Sequence, residues 1–513
     1  MTHRIAATIL LALATLVGSA CTTLPVGPRD PGSRDTHVDC SASVADPDGS
    51  PERPYTNLVQ VNELTFGRDD HLLFRRGSTC HGMLRPRGEG TPEQPWVIDD
   101  YGDAGGRARI DGDGFDNAVL LQNVQGVVVR DLELTNAGNP GTDRRGLQVL
   151  LDNYGAGRFY VIENLYIHDI VGSPEMGPGA SDGILFSIVG GDRPSWFEGV
   201  LVEGNVVNNV DYGGIRVGPS VWHDRPESGS TTLDMPWTPH VMVMVRENFV
   251  SNVGGDGIVL DNTRGGVVED NRVAGFHLRS SGYYAGIWTI GSDGTVIQRN
   301  HITGGRTTID GYAIDSDIGS VGTVVQYNYS ADNEGGFMLL CSGRDGGGAV
   351  VRDTVVRYNV SQNDQNRGVG LCHGAIENTR IYNNTFYVGP NRSMVVVEDT
   401  DEVHDVAFTN NIVVKQGPGW AYLWILGGTG TTVTSSLFTN VAGAPDEMVR
   451  DPLLVAPGTA TGPGDLDGYR VRAGSPALGA ATPIPGNGGR DVFGGVVAEA
   501  GPANIGAYEG PGV

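Results

Sequence analysis

VRENFV (245–250), VEDNRV (268–273), IQRNHI (297–302), VQYNYS (325–330) and VRYNVS (356–361) are one short phrase repeated five times. Each sets an asparagine between two brief β-branched or apolar runs. The pattern extends in both directions, with the asparagine at Asn164, Asn205, Asn248, Asn271, Asn300, Asn328, Asn359, Asn384 and Asn411. The last six intervals are 23, 29, 28, 31, 25 and 27 residues, and the first two, 41 and 43, imply insertions. Periods of this size mean stacked supersecondary units, and the apolar runs are too short for helical hairpins. The expected fold is all-β: a right-handed parallel β-helix, a solenoid of roughly ten coils with equivalent positions about 4.8 Å apart. Asparagine tolerates the left-handed backbone of a turn, and its amide can bond the asparagine of the next coil.

Composition agrees. The 513 residues include 78 glycines and 28 prolines with only 19% charged, which describes a turn-rich β protein that still has ample apolar residues. Net charge is −25 and Lys415 is the single lysine. So acidic a surface argues against nucleic acid as a partner and makes a polyanionic substrate unfavourable.

The first residues read as an export signal. Arg4 precedes an apolar run from Ile5 to Val17, too short to span a bilayer, and the segment ends Gly18-Ser19-Ala20-Cys21. This resembles a bacterial lipobox with Gly18 where leucine is usual. Residues 1–21 are therefore expected to be a lipoprotein-type signal peptide, with Cys21 lipidated and the protein exported to the cell surface or secreted. Its membrane association would come only through that lipid, and it reads as a monomer. Residues 22–35 form a linker, 36–115 an N-terminal cap with the first coils, 116–430 the body of the solenoid, and 431–513 the last coils and a capping tail. Export permits disulfides. Cys341 and Cys372 occupy nearly equivalent places in consecutive coils, and Cys40 and Cys80 share the N-terminal region.

The segments 74–91 (FRRGSTCHGMLRPRGEGT), 97–105 (VIDDYGDAG), 311–341 (GYAIDSDIGSVGTVVQYNYSADNEGGFMLLC), 475–481 (SPALGAA) and 504–509 (NIGAYE) carry a further signal. They resemble bacterial secreted proteins with right-handed parallel β-helix repeats, the pectate-lyase-like superfamily. The resemblance implies the fold; it leaves the activity open, because lyases, hydrolases, epimerases and adhesins all use it.

One strand per coil aligns to give candidate site residues. Period 2 places Ile184, Ile215, Ile258, Ile287, Ile314 and Phe337 inside, with Phe186, Val217, Leu260, Thr289, Ser316 and Leu339 two residues on. Leu185, Arg216, Val259, Trp288, Asp315 and Met338 then face out, followed by Asp261, Ile290, Asp317 and Leu340. An outer face with Arg216, Asp261, Trp288, Asp315 and Asp317 has what a sugar site needs. Carboxylates supply acid and base, an indole stacks on pyranose C–H bonds, and a guanidinium bonds hydroxyls. Asp315 and Asp317, with Cα atoms about 6.6 Å apart on one strand, are expected to differ in protonation. The catalytic candidates are Asp315, Asp317 and Asp261. Trp288, Arg216, Asp256, Glu334, Arg344 and His373 are candidate substrate contacts. The insertion 220–240, with Trp222 and Trp237, and the pair Tyr283 and Tyr284 are candidate walls.

This set points first to a glycoside hydrolase acting on a neutral poly- or oligosaccharide without a cofactor. Two alternatives stay open. One is a polysaccharide lyase with an arginine base and bound calcium, which the resemblance allows; the other is a non-catalytic glycan-binding or adhesion protein.

Overall fold

The computed structural model describes residues 31–103, 105–175, 180–232, 234–343, 348–372, 374–399, 403–424 and 430–513. Cys21 with its signal peptide, Arg344 and His373 lie outside the described residues. Among those described, three long parallel sheets of 16, 13 and 11 strands wind together, each coil contributing one strand to each sheet in turn. The only α-helix among them is the single turn Leu58–Asn62. Strand pairing already begins at Asp35–Val38, which pairs with His71–Arg75 and through it with Trp96–Tyr101. The stretch before residue 116 thus already contains coils.

The corner between the first and second sheets explains the asparagine repeat. Asn271 donates its side-chain amide to the Val245 carbonyl of the preceding coil at 2.9 Å and to Oδ1 of Asn300 in the next at 3.1 Å. That Oδ1 also accepts the Asn271 backbone N–H at 3.0 Å. The bond from each amide to the next continues from Asn205 through Asn248, Asn271, Asn300, Asn328, Asn359 and Asn384 to Asn411. All eight are buried, and Ser436 Oγ closes the row by accepting from the Asn411 N–H. Every buried polar atom of such an amide finds a partner, so the row stabilises each coil against the next.

Two expectations are corrected here. The left-handed residue is not the ladder asparagine but the one before it: Glu247, Asp270, Arg299, Tyr327, Tyr358, Asn383 and Asn410 all have φ between 51° and 59°. And Asn164 is not in the row. It occupies that left-handed position at φ 50° and is exposed, while the buried Leu165 takes the ladder place and donates its N–H to Asn205 Oδ1 at 2.9 Å.

The core fills from the inward columns. Pairing links Ile184, Ile215, Ile258, Ile287 and Ile314 in one row and Phe186, Val217, Leu260, Thr289 and Ser316 in the other. The buried hydroxyl of Ser316 donates to Thr323 Oγ1 at 2.9 Å. Register departs from expectation in the next coil, where Ile314 pairs with Met338 and Ser316 with Leu340. Met338 and Leu340 therefore face in, and Leu339 and Cys341 face out. Gly336 causes the shift: its φ of 137° bends the chain so that Phe337 and Met338 both enter the core.

Both disulfides form as expected, Cys40–Cys80 with Cα atoms 5.2 Å apart and Cys341–Cys372 at 4.7 Å. The second bridges residues paired directly across adjacent strands. Thr431–Thr434 and Leu437–Thr439 still stack, as the last strands of the first and second sheets, and the remaining segment folds back along the outside of the second sheet. There Ala460, Leu466, Tyr469 and Tyr508 join a second apolar cluster with Tyr329, Val360, Tyr387 and Ile412.

Candidate active site

The third sheet carries three outward rows. The middle row runs Gln148, Leu185, Arg216, Val259, Trp288, Asp315, Leu339 and Gly370 across successive pairings. Two residues further along the strands stand Asp261 and Ile290, then Asp317, Cys341 and Cys372. Three residues before the middle row lies a row absent from the sequence reading except for Asp256. It contains Asn117 paired with Arg145, Asp182 paired with Gly213, and Tyr312 paired with Gly336 and through it with Arg367.

These side chains point away from the core, yet they are sheltered. Asp315 is 5% exposed, Trp288 7% and Asp256 1%. The expectation of an open groove is corrected: the face is roofed. On one side Tyr212 packs edge-on to Tyr284 at 5.5 Å, and Tyr284 edge-on to His277 at 4.9 Å. Tyr283 is largely exposed. On the other side the insertion is clamped over the turns that follow the site strands. Arg225 reaches Asp293 at 2.8 Å, and the Val350 N–H donates to the Glu227 carbonyl at 2.8 Å. The guanidinium groups of Arg225 and Arg264 lie 4.1 and 4.7 Å from the centre of the Trp237 ring, whose indole N–H donates to the Gly291 carbonyl at 3.0 Å. Trp222 is buried in the core. Both tryptophans hold the wall in place and neither faces the site.

Arg216 organises the charges. Its guanidinium lies 5.5 Å from the centre of the Tyr212 ring; burial works against its charge, but Tyr212 and the carboxylates of Asp182, Asp256 and Asp261 more than offset that. Tyr212 Oη donates to Asp256 Oδ2 at 2.9 Å and the Ala285 N–H donates to Oδ1 at 3.1 Å. Burial pushes Asp182, Asp256 and Asp261 up to about 6, with Arg216 drawing each back down. Burial raises Asp317 to about 7, although the Ile318 N–H at 2.8 Å favours its ionised form. Asp315 is held well above the carboxylate range, by burial first and then by the charges of Asp317, Asp310 and Asp256. Of these carboxyls Asp315 is therefore the one pushed furthest towards its protonated form, while Asp256 and Asp261, at about 6, ionise more readily beside Arg216.

Buried polar atoms at this face lack partners. Asp315 Oδ1, Asp182 Oδ1, Arg216 Nε and Trp288 Nε1 form no hydrogen bond, nor do Asn117 Oδ1 and Arg145 Nε further along. The Trp288 indole N–H is near enough to Asp256 to favour its charged form but falls short of bonding geometry. Unsatisfied buried donors and acceptors are unusual in a folded protein, and here they lie together along one face.

Glu334 stands apart, accepting from the Thr307 N–H at 2.8 Å and from Arg306 at 3.2 Å, so it holds the rim loop. Tyr312 is an addition: its buried ring extends towards Gly370, where a Cβ would sit 2.3 Å from the hydroxyl. Arg367 beside it is paired with Glu398. Among the described residues no group of three or more His, Cys, Asp and Glu converges as a metal-ligand set.

The family model described as a right-handed β-helix region matches residues 237–413. The fold is a right-handed parallel β-helix. The chain is similar to a lacto-N-biosidase of Bifidobacterium longum subsp. longum, 24% identical over 84% of this chain and 33% of that protein. It thus spans about a third of the length of that curated relative. In structure it resembles the GH136 lacto-N-biosidase from Eubacterium ramulus, with a TM-score of 0.60, 22% identity, and coverage of 80% of this chain and 67% of that one. XylC in complex with xylose also superposes, with a TM-score of 0.52, 10% identity, and coverage of 93% and 98%.

Proposed function

We propose that the protein is a glycoside hydrolase acting on an oligosaccharide at the roofed face of the third sheet. The observation that carries this reading is the pairing of Asp315, which keeps its proton, with Asp317, the next carboxylate on the same strand, beside the outward indole of Trp288. Two carboxyls with separated proton affinities divide the work of glycoside cleavage. Asp315 donates to the departing glycosidic oxygen. Asp317, once ionised, attacks the anomeric carbon or takes the proton from an attacking water. Asp256 and Asp261, fixed around Arg216, supply negative potential for the oxocarbenium-like transition state, and Trp288 carries a sugar face. The similarity to lacto-N-biosidases supports this class and makes lacto-N-biosides the first substrates to try.

Of the two arginines that could serve a lyase as base, Arg344 lies outside the described residues, and Arg216 is disfavoured because three carboxylates stabilise its charge. Lys415 is buried on the second sheet, donating to the carbonyls of Gly389, Gln416, Gly417 and Pro418. The two disulfides support an oxidising, exported location, with Cys21 as the proposed lipid anchor. Metabolic labelling with radioactive palmitate, lost in Cys21→Ala, tests that anchor.

The test of function is a screen with p-nitrophenyl lacto-N-bioside and neutral oligosaccharides, read by released reducing sugar. Absorbance at 235 nm is followed in parallel on uronate polymers. Reducing ends without unsaturated product support the hydrolase. Unsaturated product, or no turnover of any substrate by folded protein, overturns it.

A further inference from the structure

A second recess lies at the opposite end of two of the site strands, and its chemistry is different. Arg145–Asp152 and Asp182–Val189 leave the roofed face and turn at residues 153–155 and 190–195 into strands of the first sheet. At 3.3 Å per residue this corner is roughly 25 Å from Asp182. A pocket of about 550 Å³ opens here, lined by Gln125, Tyr154, Gly155, Arg158, Arg193 and Trp196, among others. Trp196 is half-buried and sits next to the core-facing Phe197, so its ring is on the outside.

The corner is held firmly. Asn153 Oδ1 accepts the N–H groups of Asp192 at 2.9 Å and Arg193 at 3.1 Å. Ser195 Oγ donates to the Arg193 carbonyl at 3.1 Å and accepts the N–H groups of Tyr154 and Gly155 at 2.9 and 3.0 Å. Gly155, at φ 92°, has no side chain to obstruct the Arg193 guanidinium, which packs against it; a Cβ there would lie 2.7 Å from Nη2. Arg158 Nε is bound to Glu198 at 3.0 Å and Glu89 to the Gln125 amide at 2.8 Å, so the neighbouring carboxylates are occupied. Arg193 has no ion pair or side-chain hydrogen bond among the described residues. In a chain with 60 acidic and 35 basic residues, this pocket presents two guanidinium groups and no acid among its lining residues.

We propose that this corner is a second glycan-binding site, selective for a sugar carrying a carboxylate or a sulfate. Trp196 and Tyr154 offer faces for the pyranose ring. Arg193, placed in advance by a rigid turn, takes the anionic group in a two-pronged bond. The site binds without cleaving, so its occupancy does not depend on the hydrolase reading. It supplies the affinity for anionic glycan that the acidic remainder of the surface withholds.

The full chain carrying Asp315→Asn is titrated calorimetrically with trigalacturonate, with a sulfated, carboxylate-free neocarratetraose and with neutral galactotriose. Expected is binding of at least one anionic probe, weakened about tenfold or more by Arg193→Gln and by Trp196→Ala, with galactotriose weaker by a similar factor. Which anionic probe binds identifies carboxylate or sulfate as the natural group. Turnover of a small neutral substrate is expected to persist in Arg193→Gln with Asp315 intact, which separates this site from the catalytic one. The proposal is overturned if neither anionic probe binds by about 10 mM. It is equally overturned if galactotriose binds as well as they do, or if both variants bind undiminished.

Discussion

Two rows of buried polar side chains run along this solenoid, and they are built on opposite principles. The asparagine ladder repeats one uncharged group, so that each amide satisfies its neighbour and no charge is buried. The face of the third sheet gathers Asp182, Asp256 and Asp261 around Arg216, sets Asp315 and Asp317 together further along the row, and leaves Asp315 Oδ1, Asp182 Oδ1 and Trp288 Nε1 unbonded. The ladder lowers the energy of the folded state. The acidic face raises it, and groups held in that condition are available to a substrate. Position alone does not separate the two rows. What separates them is whether stacking the same chemistry again satisfies it or repels it.

The largest effect expected from breaking this contrast is on turnover. Asp315→Asn removes the proton donor and should lower kcat by a factor of about 10² or more on a confirmed substrate, with the fold intact by circular dichroism. Asp317→Asn should do the same. Full activity in both variants would return the acidic face to a structural role. In the ladder the effect should fall on stability instead. Asn300→Ala leaves the Asn271 amide and N–H without their acceptor, an expected loss of about 1–3 kcal/mol by denaturant unfolding, with kcat of the folded fraction unchanged.

A smaller effect concerns the indole. Trp288→Ala should raise KM more than it lowers kcat, because stacking is made in ground and transition states alike. A kcat loss as large as that of Asp315→Asn would instead make Trp288 part of the reacting geometry.

The pH dependence sharpens the contrast further. Burial raises Asp182, Asp256 and Asp261 to about 6 and Asp317 to about 7, from an ordinary carboxylate value of 3.8. Each binds its proton more tightly folded than unfolded. Their contribution to stability is therefore complete below about pH 4 and is lost as pH rises through 6 to 7. Activity should run the other way on its acid limb, rising through about pH 6 to 7 as Asp256 and Asp261 and then the reacting Asp317 ionise, and should fall at higher pH as Asp315 gives up its proton. Thermal midpoints and initial rates measured from pH 4 to 9 test both; rates and midpoints that rise together between 4 and 7 would contradict the assignment.

The repeat made the solenoid legible because a satisfied ladder must use the same residue in coil after coil. Period 2 likewise placed Ile184 to Ile314 inside and Arg216, Trp288 and Asp315 outside. Where it failed, a local backbone event intervened. Gly336 at φ 137° shifted Met338 inward, which no alternation rule anticipates. Asn164 misled because asparagine suits two adjacent positions, the left-handed turn and the ladder; in IENLYI it stands third, where the other phrases have it fourth. The third outward row was visible only at Asp256. Asp182 and Tyr312 precede inward-facing small residues, Gly183 and Ala313, and alternation from the isoleucine column does not continue through that bend. The roof was not legible at all, since it depends on how Tyr284 and the Arg225–Glu227 segment fold back over the sheet.

The most direct measurement is the thermal midpoint of Asp315→Asn at pH 7 beside that of the parent protein. A buried carboxyl crowded by Asp317, Asp310 and Asp256 destabilises the fold, so an uncharged amide of the same shape should raise the midpoint by a few degrees while turnover collapses. A midpoint that falls along with activity would show that Asp315 supports the structure as the ladder does, and the distinction between the two rows would not stand.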